Sequence, residues 1–565
     1  MFEGRRRVAP AVDAWSESGD SCSQQRPVLD VRRKDPSGAK GTAQKGNRNS
    51  GGPEEPICRG IFEIEKRSCD VVLTPSRLEW TAIEPDNPTG DDALISQRHA
   101  EFVELKEVFA VKMKRRRSVK QYKGGTLLGI AIFVCVSKGQ NKLKHRIIHL
   151  SNLSEDHCNL WFKYLKDILN GYFPKRPKSL KVIINPYSHK KEAKQVYYER
   201  VAPLFKLADI KTDITITEYQ GHGFLILKEC DFQEFDGVVC VGGDGTASEV
   251  ARALLLQAQI DAGKDVDSNF TPVRAPLPLG IIPAGSTNIL AYSVHGINHP
   301  ETAAMHVIMG NLQEVDVCTF STHGRLLRFG FSGMLGFGGR TLALAEKYRW
   351  MPSKERREFA VIRTLANLKS EGCELLFLPS KNTDLEEQGG VRNTDGTNAE
   401  EQCSDEEKWR SMQGTFLNIN VMAIPCLCSM APRGLAPNTR LNNGSMSLIA
   451  VRNCTRADFI KYLKRYGSAN NQFNFPFVET YTVQEVKIQL RIKSRWVDET
   501  SEEKAESSSR CPSVTSLNGS CPWNIDGDLM EESSEVHIKI HSQLITLYGR
   551  AMEECDIPIV KCGCL

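Results

Sequence analysis

The stretch Val238-Val239-Cys240-Val241-Gly242-Gly243-Asp244-Gly245-Thr246 decides how this chain is read. An apolar run stops at glycines surrounding one carboxylate, and Ala247-Ser248-Glu249-Val250-Ala251-Arg252-Ala253-Leu254 continues with helical character. A strand that ends in a Gly-rich turn and restarts as a helix gathers backbone N–H groups and a positive helix end at one point, which suits a phosphate. A bare phosphate cradle has no use for Asp244. A carboxylate there fits a site that handles Mg²⁺ or takes a proton from a hydroxyl attacking the phosphate. Read alone, a Gly-Gly-Asp-Gly turn is often just a tight loop.

Around this stretch, residues 178–319 alternate strands with helices. Lys181 to Asn185 is a strand, Glu192 to Leu207 a helix, Thr215-Ile-Thr217-Glu-Tyr a strand, and Leu225 to Cys230 a helix. The glycine strand with its helix and the strand Leu279 to Ile282 follow. The rhythm predicts an α/β parallel sheet with ligands at the strand C-termini. Residues 320–550 turn antiparallel, from Leu326 to Phe331 through Phe416 to Met422, ending in the alternating Val536-His-Ile-Lys-Ile-His541. Two acidic Ser/Asn/Gly-rich inserts, near 381–408 and 498–520, read as loops. Residues 1–55 have the composition of a disordered leader, and 551–565 form a tail. In 56–172, short strands precede one helix, Ser154 to Leu169, with Ser154 as N-cap and Trp161 on its apolar face.

At 565 residues the chain exceeds what one core holds. A net charge of +4 gives no bulk attraction for nucleic acid, and no specific nucleic-acid partner is inferred. No apolar h-region follows Arg5-Arg6-Arg7, and the longest apolar run, Leu127 to Val136, is too short to span a bilayer. The 18 cysteines, without an export signal, read as reduced thiols of a cytoplasmic or nuclear protein. Cys562-Gly563-Cys564-Leu565 is formally a prenylation box with atypical inner residues. Lys112, Lys114, Arg115, Arg116, Arg117 and Lys120 form a dense basic cluster. It suits phosphoinositides or an anionic membrane, a nuclear import receptor or a nucleic-acid patch, or a solvated hairpin. Phe359 to Lys369 is a basic amphipathic segment open to calmodulin, membrane contact or core packing.

Four ordered segments carry a resemblance: Val182-Ile-Ile-Asn185-Pro186, the run from Asp236 to Val250, Leu279 to Asn288, and Trp523-Asn-Ile-Asp526-Gly527-Asp528. Together they resemble the diacylglycerol kinase catalytic superfamily, which includes sphingosine and ceramide kinases, and the flanking sequence is most similar to ceramide kinases. The resemblance implies a multidomain lipid kinase fold: an N-terminal pleckstrin-homology-like (PH-like) β-barrel, an α/β nucleotide domain, and an antiparallel β domain carrying the lipid pocket. It implies transfer of the ATP γ-phosphate to a lipid hydroxyl with Mg²⁺. Carried over by position, Asn185, Thr217, Gly243, Gly245, Ser286 and Asn288 would cradle the nucleotide and Glu249 would steady it. Asp244 would be the base, and Asp528 would sit near the phosphates or Mg²⁺. It also implies a peripheral location on internal membranes such as the endoplasmic reticulum or Golgi.

Three departures qualify this. Asn185-Pro186 leads into Tyr187-Ser188-His189-Lys190-Lys191 where the family has a glycine-rich turn, removing easy left-handed geometry. Arg340 stands where active sphingolipid kinases hold an Asp against the substrate's polar end, a donor in place of an acceptor. It either clamps an anionic head group or turns away and deletes the contact. After Pro432-Arg433-Gly434, Asn442-Asn443-Gly444 replaces the usual Asp-Gly. The expectation is a partly kept Mg-ATP site and an altered head-group site, hence a lipid-binding or regulatory role. The alternative is an active kinase for a non-ceramide lipid, anionic lipids included.

Overall fold

A computed structural model describes residues 54–83, 100–116, 124–188, 191–264, 271–380, 409–436, 438–468, 471–491, 521–530 and 534–550. Arg117, Lys120, His189, Lys190, both acidic inserts, nearly all of the expected leader and the Cys562 box lie outside these residues. Two compact units divide near Pro174, with Ser137–Lys144 grouped with the second.

The first unit holds β1 (Cys58–Ile64), β2 (Arg67–Leu73), β3 (Arg77–Ala82), β4 (Glu101–Glu104), β5 (Val108–Arg116), β6 (Thr126–Ser137) and β7 (Leu143–Ser151), then α1 (Glu155–Tyr172). The sheet order is β4-β3-β2-β1-β7-β6-β5. Ser154 caps α1 as expected, its hydroxyl accepting from the His157 amide at 3.3 Å. Cys158, Trp161, Leu165 and Ile168 face the core, whereas Leu160, expected on that face, is exposed. Trp161 is fully buried, edge-on to Phe62 with centroids 5.0 Å apart.

The second unit begins with β8 (Ser179–Ile184), α2 (Ala193–Val196), a π turn at Tyr197–Val201, α3 (Ala202–Leu207) and β9 (Lys211–Ile216). The single helix expected from Glu192 to Leu207 is thus interrupted, and Pro203 inside α3 explains why: without an N–H it cannot continue the ladder. Next come α4 (His222–Lys228), β10 (Gly237–Gly242), α5 (Asp244–Asp261), β11 (Leu279–Pro283), α6 (Ile289–His295) and α7 (Pro300–Met309). Strands β9, β8, β10 and β11 lie parallel in that order, and Val238 to Val241 are wholly buried, as a sheet covered on both faces requires.

The antiparallel part comprises β12 (Leu312–Thr322), β13 (Arg325–Gly330), β14 (Ser332–Gly336), α8 (Phe337–Lys347), α9 (Ser353–Ala366), β15 (Glu371–Pro379) and β16 (Arg410–Met422). It continues through β17 (Met446–Arg452), α10 (Arg456–Arg465), β18 (Val478–Leu490), β19 (Trp523–Ile525), β20 (Asp528–Met530) and β21 (Glu535–Tyr548). The expected boundary at 319/320 falls inside β12. One sheet runs through both parts, because β21 pairs in parallel with β11 and antiparallel with β12 and β18. The lost Asp of the Asn443-Gly444 turn has a substitute. Fully buried Asp316 accepts from the Gly444 amide at 2.7 Å and the Gln543 amide at 2.8 Å.

Trp161→Ala should cost the first unit about 3–5 kcal/mol through lost burial and a residual cavity. Urea unfolding of the full chain would show an earlier first-unit transition with the second unit unmoved.

Candidate functional site

Parallel pairing brings two turns to one sheet end: Gly242 lies opposite Pro283, so the turns after β10 and β11 leave side by side. A Cβ on Gly243 would stand 3.1 Å from Gly285 Cα, and one on Gly285 only 2.3 Å from Gly243 Cα. The backbones touch there, and only glycine allows it. Asn288, left-handed at φ 59°, locks the second turn, its amide accepting from Gly285 N at 2.9 Å and donating to Gly285 O at 3.0 Å. Its side chain is therefore committed to the loop. Helix α5 starts at Asp244 behind Gly243 with no side-chain cap, leaving its first-turn amides and positive end open to an anion.

The remaining cradle candidates have structural partners. Asn185 Nδ2 donates to Thr246 Oγ1 at 2.9 Å, and its Oδ1 accepts from Tyr187 N at 3.0 Å. Ser188 N donates to Asn185 O at 3.3 Å, so both amides following Pro186 are used inside the turn. Thr217 lies just past β9, its buried hydroxyl donating to Ile184 O. Glu249 accepts from Gly223 N at 2.8 Å, joining α5 to the start of α4. Gly245 lies beside Asp528, and Ser286 lines a cavity on the other side of the turns.

That cavity, ≈ 930 Å³, lies between α8, α9, β14 and β16 and is lined mainly by apolar side chains. Asp244 and Asp526 lie in its wall. Asp244 accepts from Leu290 N at 3.2 Å. Burial pushes its carboxyl up to about 6, against the amides of residues 288–290 and helped by the nearby Asp526 charge. Asp526, left-handed at φ 51°, accepts from Phe331 N and Ser332 N, both at 2.8 Å, and from Ser332 Oγ at 3.0 Å. Burial raises its pKa as well.

Three placements add to the sequence reading. Asp528 lies outside the cavity lining, where Arg328 binds it at 2.8 Å and Arg252 stands 3.9 Å away, whereas Asp526 lines the cavity. Arg340 also stays out of the cavity lining: it pairs with Glu371 and donates to Lys369 O. A head-group clamp at Arg340 is therefore not what the structure shows, because a nearby carboxylate already neutralises the guanidinium. The basic segment from Phe359 falls in α9, where Arg357, Val361 and Ile362 line the cavity; this wall role accounts for its apolar face without calmodulin. Arg357 was missed from sequence: it donates to Thr287 Oγ1 at 2.9 Å, tying α9 to the second glycine turn.

In the first unit, alternation along β5 puts Lys112, Lys114 and Arg116 on one side and Arg115 on the other. Arg115 pairs with Glu155 and donates to Gly125 O, so it belongs to the unit's own packing. Among the described residues no helix is long and apolar enough to cross a membrane.

Family models match in order along the chain: Ceramide kinase PH domain at residues 58–165, Diacylglycerol kinase catalytic domain at 179–320, and Ceramide kinase C-terminal domain at 331–565. Ceramide kinase-like protein of Homo sapiens is 57% identical over 89% of this chain and 92% of its own length. Ceramide kinase of Homo sapiens is 32% identical over 90% of this chain and 98% of its own. A putative diacylglycerol kinase structure from Bacillus anthracis str. Sterne covers 66% of the chain and 96% of itself at 14% identity and TM-score 0.43. With a PH domain, a diacylglycerol-kinase-type catalytic domain and an antiparallel C-terminal sheet in this order, the chain belongs to the ceramide kinase family of lipid kinases.

Proposed function

We propose that this chain binds an acyl-chain amphiphile, its apolar part in the cavity and its polar end at Asp244 and Asp526, and acts as a lipid-binding or regulatory protein on a kinase scaffold. One observation carries this: a largely apolar space at the upper end of small-molecule pocket sizes that ends on two half-buried carboxylates. Carboxylates there accept from a hydroxyl or amide, while the surrounding side chains take the chain at about 0.8 kcal/mol per buried CH₂. Two features argue against ceramide phosphorylation in the family's usual pose. Arg340 leaves no acid at the expected place, and the turn after Asn185 uses its own amides.

The second reading is phosphoryl transfer to a different lipid hydroxyl, and the position of Asp244 favours it. The residue stands between the open end of α5 and the cavity, with a carboxyl near 6 that suits proton acceptance at neutral pH. Gly243, Gly245, Ser286 and the α5 amides would hold the ATP phosphates. Asp528 or Asp526 would hold Mg²⁺, which supplies neutralisation of the phosphate charge. The PH domain supports contact with anionic membranes through Lys112, Lys114 and Arg116.

Labelled γ-phosphate transfer from Mg-ATP into a total lipid extract separates the two readings. No transfer, with lipid retained by the purified protein and lost in cavity-filling Leu342→Trp, supports lipid binding. A product abolished by Asp244→Asn supports the kinase. Asp244 also predicts a pH signature. Its folded pKa lies above the unfolded value, so its contribution to stability is present at low pH and is lost as pH rises through about 6. Asp244→Asn should therefore melt higher than the wild type at pH 7.5, with the gain shrinking at pH 4.5, by differential scanning calorimetry.

A further inference from the structure

Among the polar side chains in the cavity wall, one group on β16 and just past α10 is joined by hydrogen bonds. Asn418 and Asn420 are two residues apart on β16, so they share a face, and both line the cavity although they are 5% and 2% exposed. Tyr466, just past α10, lines it with them. The three side chains form a relay. Asn418 Oδ1 accepts from Gly338 N at 3.0 Å, and Asn418 Nδ2 donates to Asn420 Oδ1 at 2.7 Å. The Tyr466 hydroxyl, close to Asn420, donates to that of Tyr462 at 2.6 Å.

Counting donors shows what the relay leaves over. Each carboxamide has two N–H bonds. Asn420 takes one on Asn418, and the Asn420 amide has the Tyr466 hydroxyl beside it, which leaves room for one partner there at most. Both acceptor oxygens are already engaged. What remains is one donor on each amide, in an environment where an unmatched buried donor is costly. The relay thus offers donors and calls for an acceptor oxygen.

Register locates it. Ser332, which binds Asp526, lies opposite Met422; Met334 lies opposite Asn420, and Gly336 opposite Asn418. At about 3.4 Å per residue, Asn420 stands about 7 Å and Asn418 about 14 Å along the strands from the carboxylate end.

We propose that Asn418, Asn420 and Tyr466 form an oxygen-recognition subsite, so that the bound lipid carries an acceptor oxygen within its otherwise apolar length. This rests on the lipid-binding reading above. The oxygen is either a carbonyl close to the terminal hydroxyl, as in an N-acyl amino alcohol, or a hydroxyl farther along the chain. The first would use Asn420 and the second Asn418.

The test is competitive displacement of a fluorescent long-chain alcohol from the full-length protein by three probes: hexadecan-1-ol, N-palmitoylethanolamine and 12-hydroxyoctadecan-1-ol. At least one oxygenated probe should bind about five- to tenfold tighter than hexadecan-1-ol, the size of one added hydrogen bond. Asn420→Leu should bring the amide probe within about twofold of the alcohol, and Asn418→Leu should do the same for the mid-chain hydroxyl. Hexadecan-1-ol affinity should be unchanged in both variants, which also shows that they are folded. Equal affinity of all three probes for the wild type overturns the subsite alone, as does a preference that survives both substitutions. Binding of none of them overturns the lipid-binding reading beneath it.

Discussion

The contact between the backbones of Gly243 and Gly285 is the constraint on which the rest of the second unit depends. Parallel pairing of β10 with β11 aligns the two turns, and the absence of side chains lets them close on each other. Once they touch, the start of α5, Asn288 and the amides that hold Asp244 are placed together. The antiparallel part then has to complete the other side. It does so through Asp526, which crosses to Ser248 of α5 at 3.4 Å while holding the start of β14. One carboxylate thus belongs to each half of the sheet, and the cavity lies between them.

Such an arrangement separates what is local from what is not. The strand, turn and helix around Asp244 were legible because every signal lies within about twenty residues: an apolar run, three glycines and a helical pattern. The PH domain was legible for a similar reason, since the spacing of Trp161, Leu165 and Ile168 marks one helix face. Strands β4 and β7 were not read, because neither alternates cleanly. Leu143 to Ile147 carries two lysine or arginine side chains and a histidine among its five residues.

Of the candidate site, only the glycine turns and the carboxylate between them were legible. Choosing between Asp526 and Asp528 requires the geometry of a hairpin turn, because Asp526 and Gly527 both adopt left-handed backbone and turn the first carboxylate inward. Arg340 could be seen to replace an acid, but its partner Glu371 is 31 residues away and was invisible as such. The same holds for Asp316, which serves a turn 128 residues later. In each case the type of residue was readable, and the partner that decides its role was set by tertiary pairing.

Strand β21 carries a consequence for how the chain assembles. It pairs with β11, β12 and β18, elements that precede it by some 45 to more than 250 residues. Until residues 535–548 arrive, those three strands have unpaired edges and the two halves of the sheet have no covalently late element to join them. Contacts this far apart in sequence are formed slowly, because long loops must close first. During synthesis the second unit therefore waits with open strand edges, the state in which β proteins are most prone to pair with the wrong neighbour.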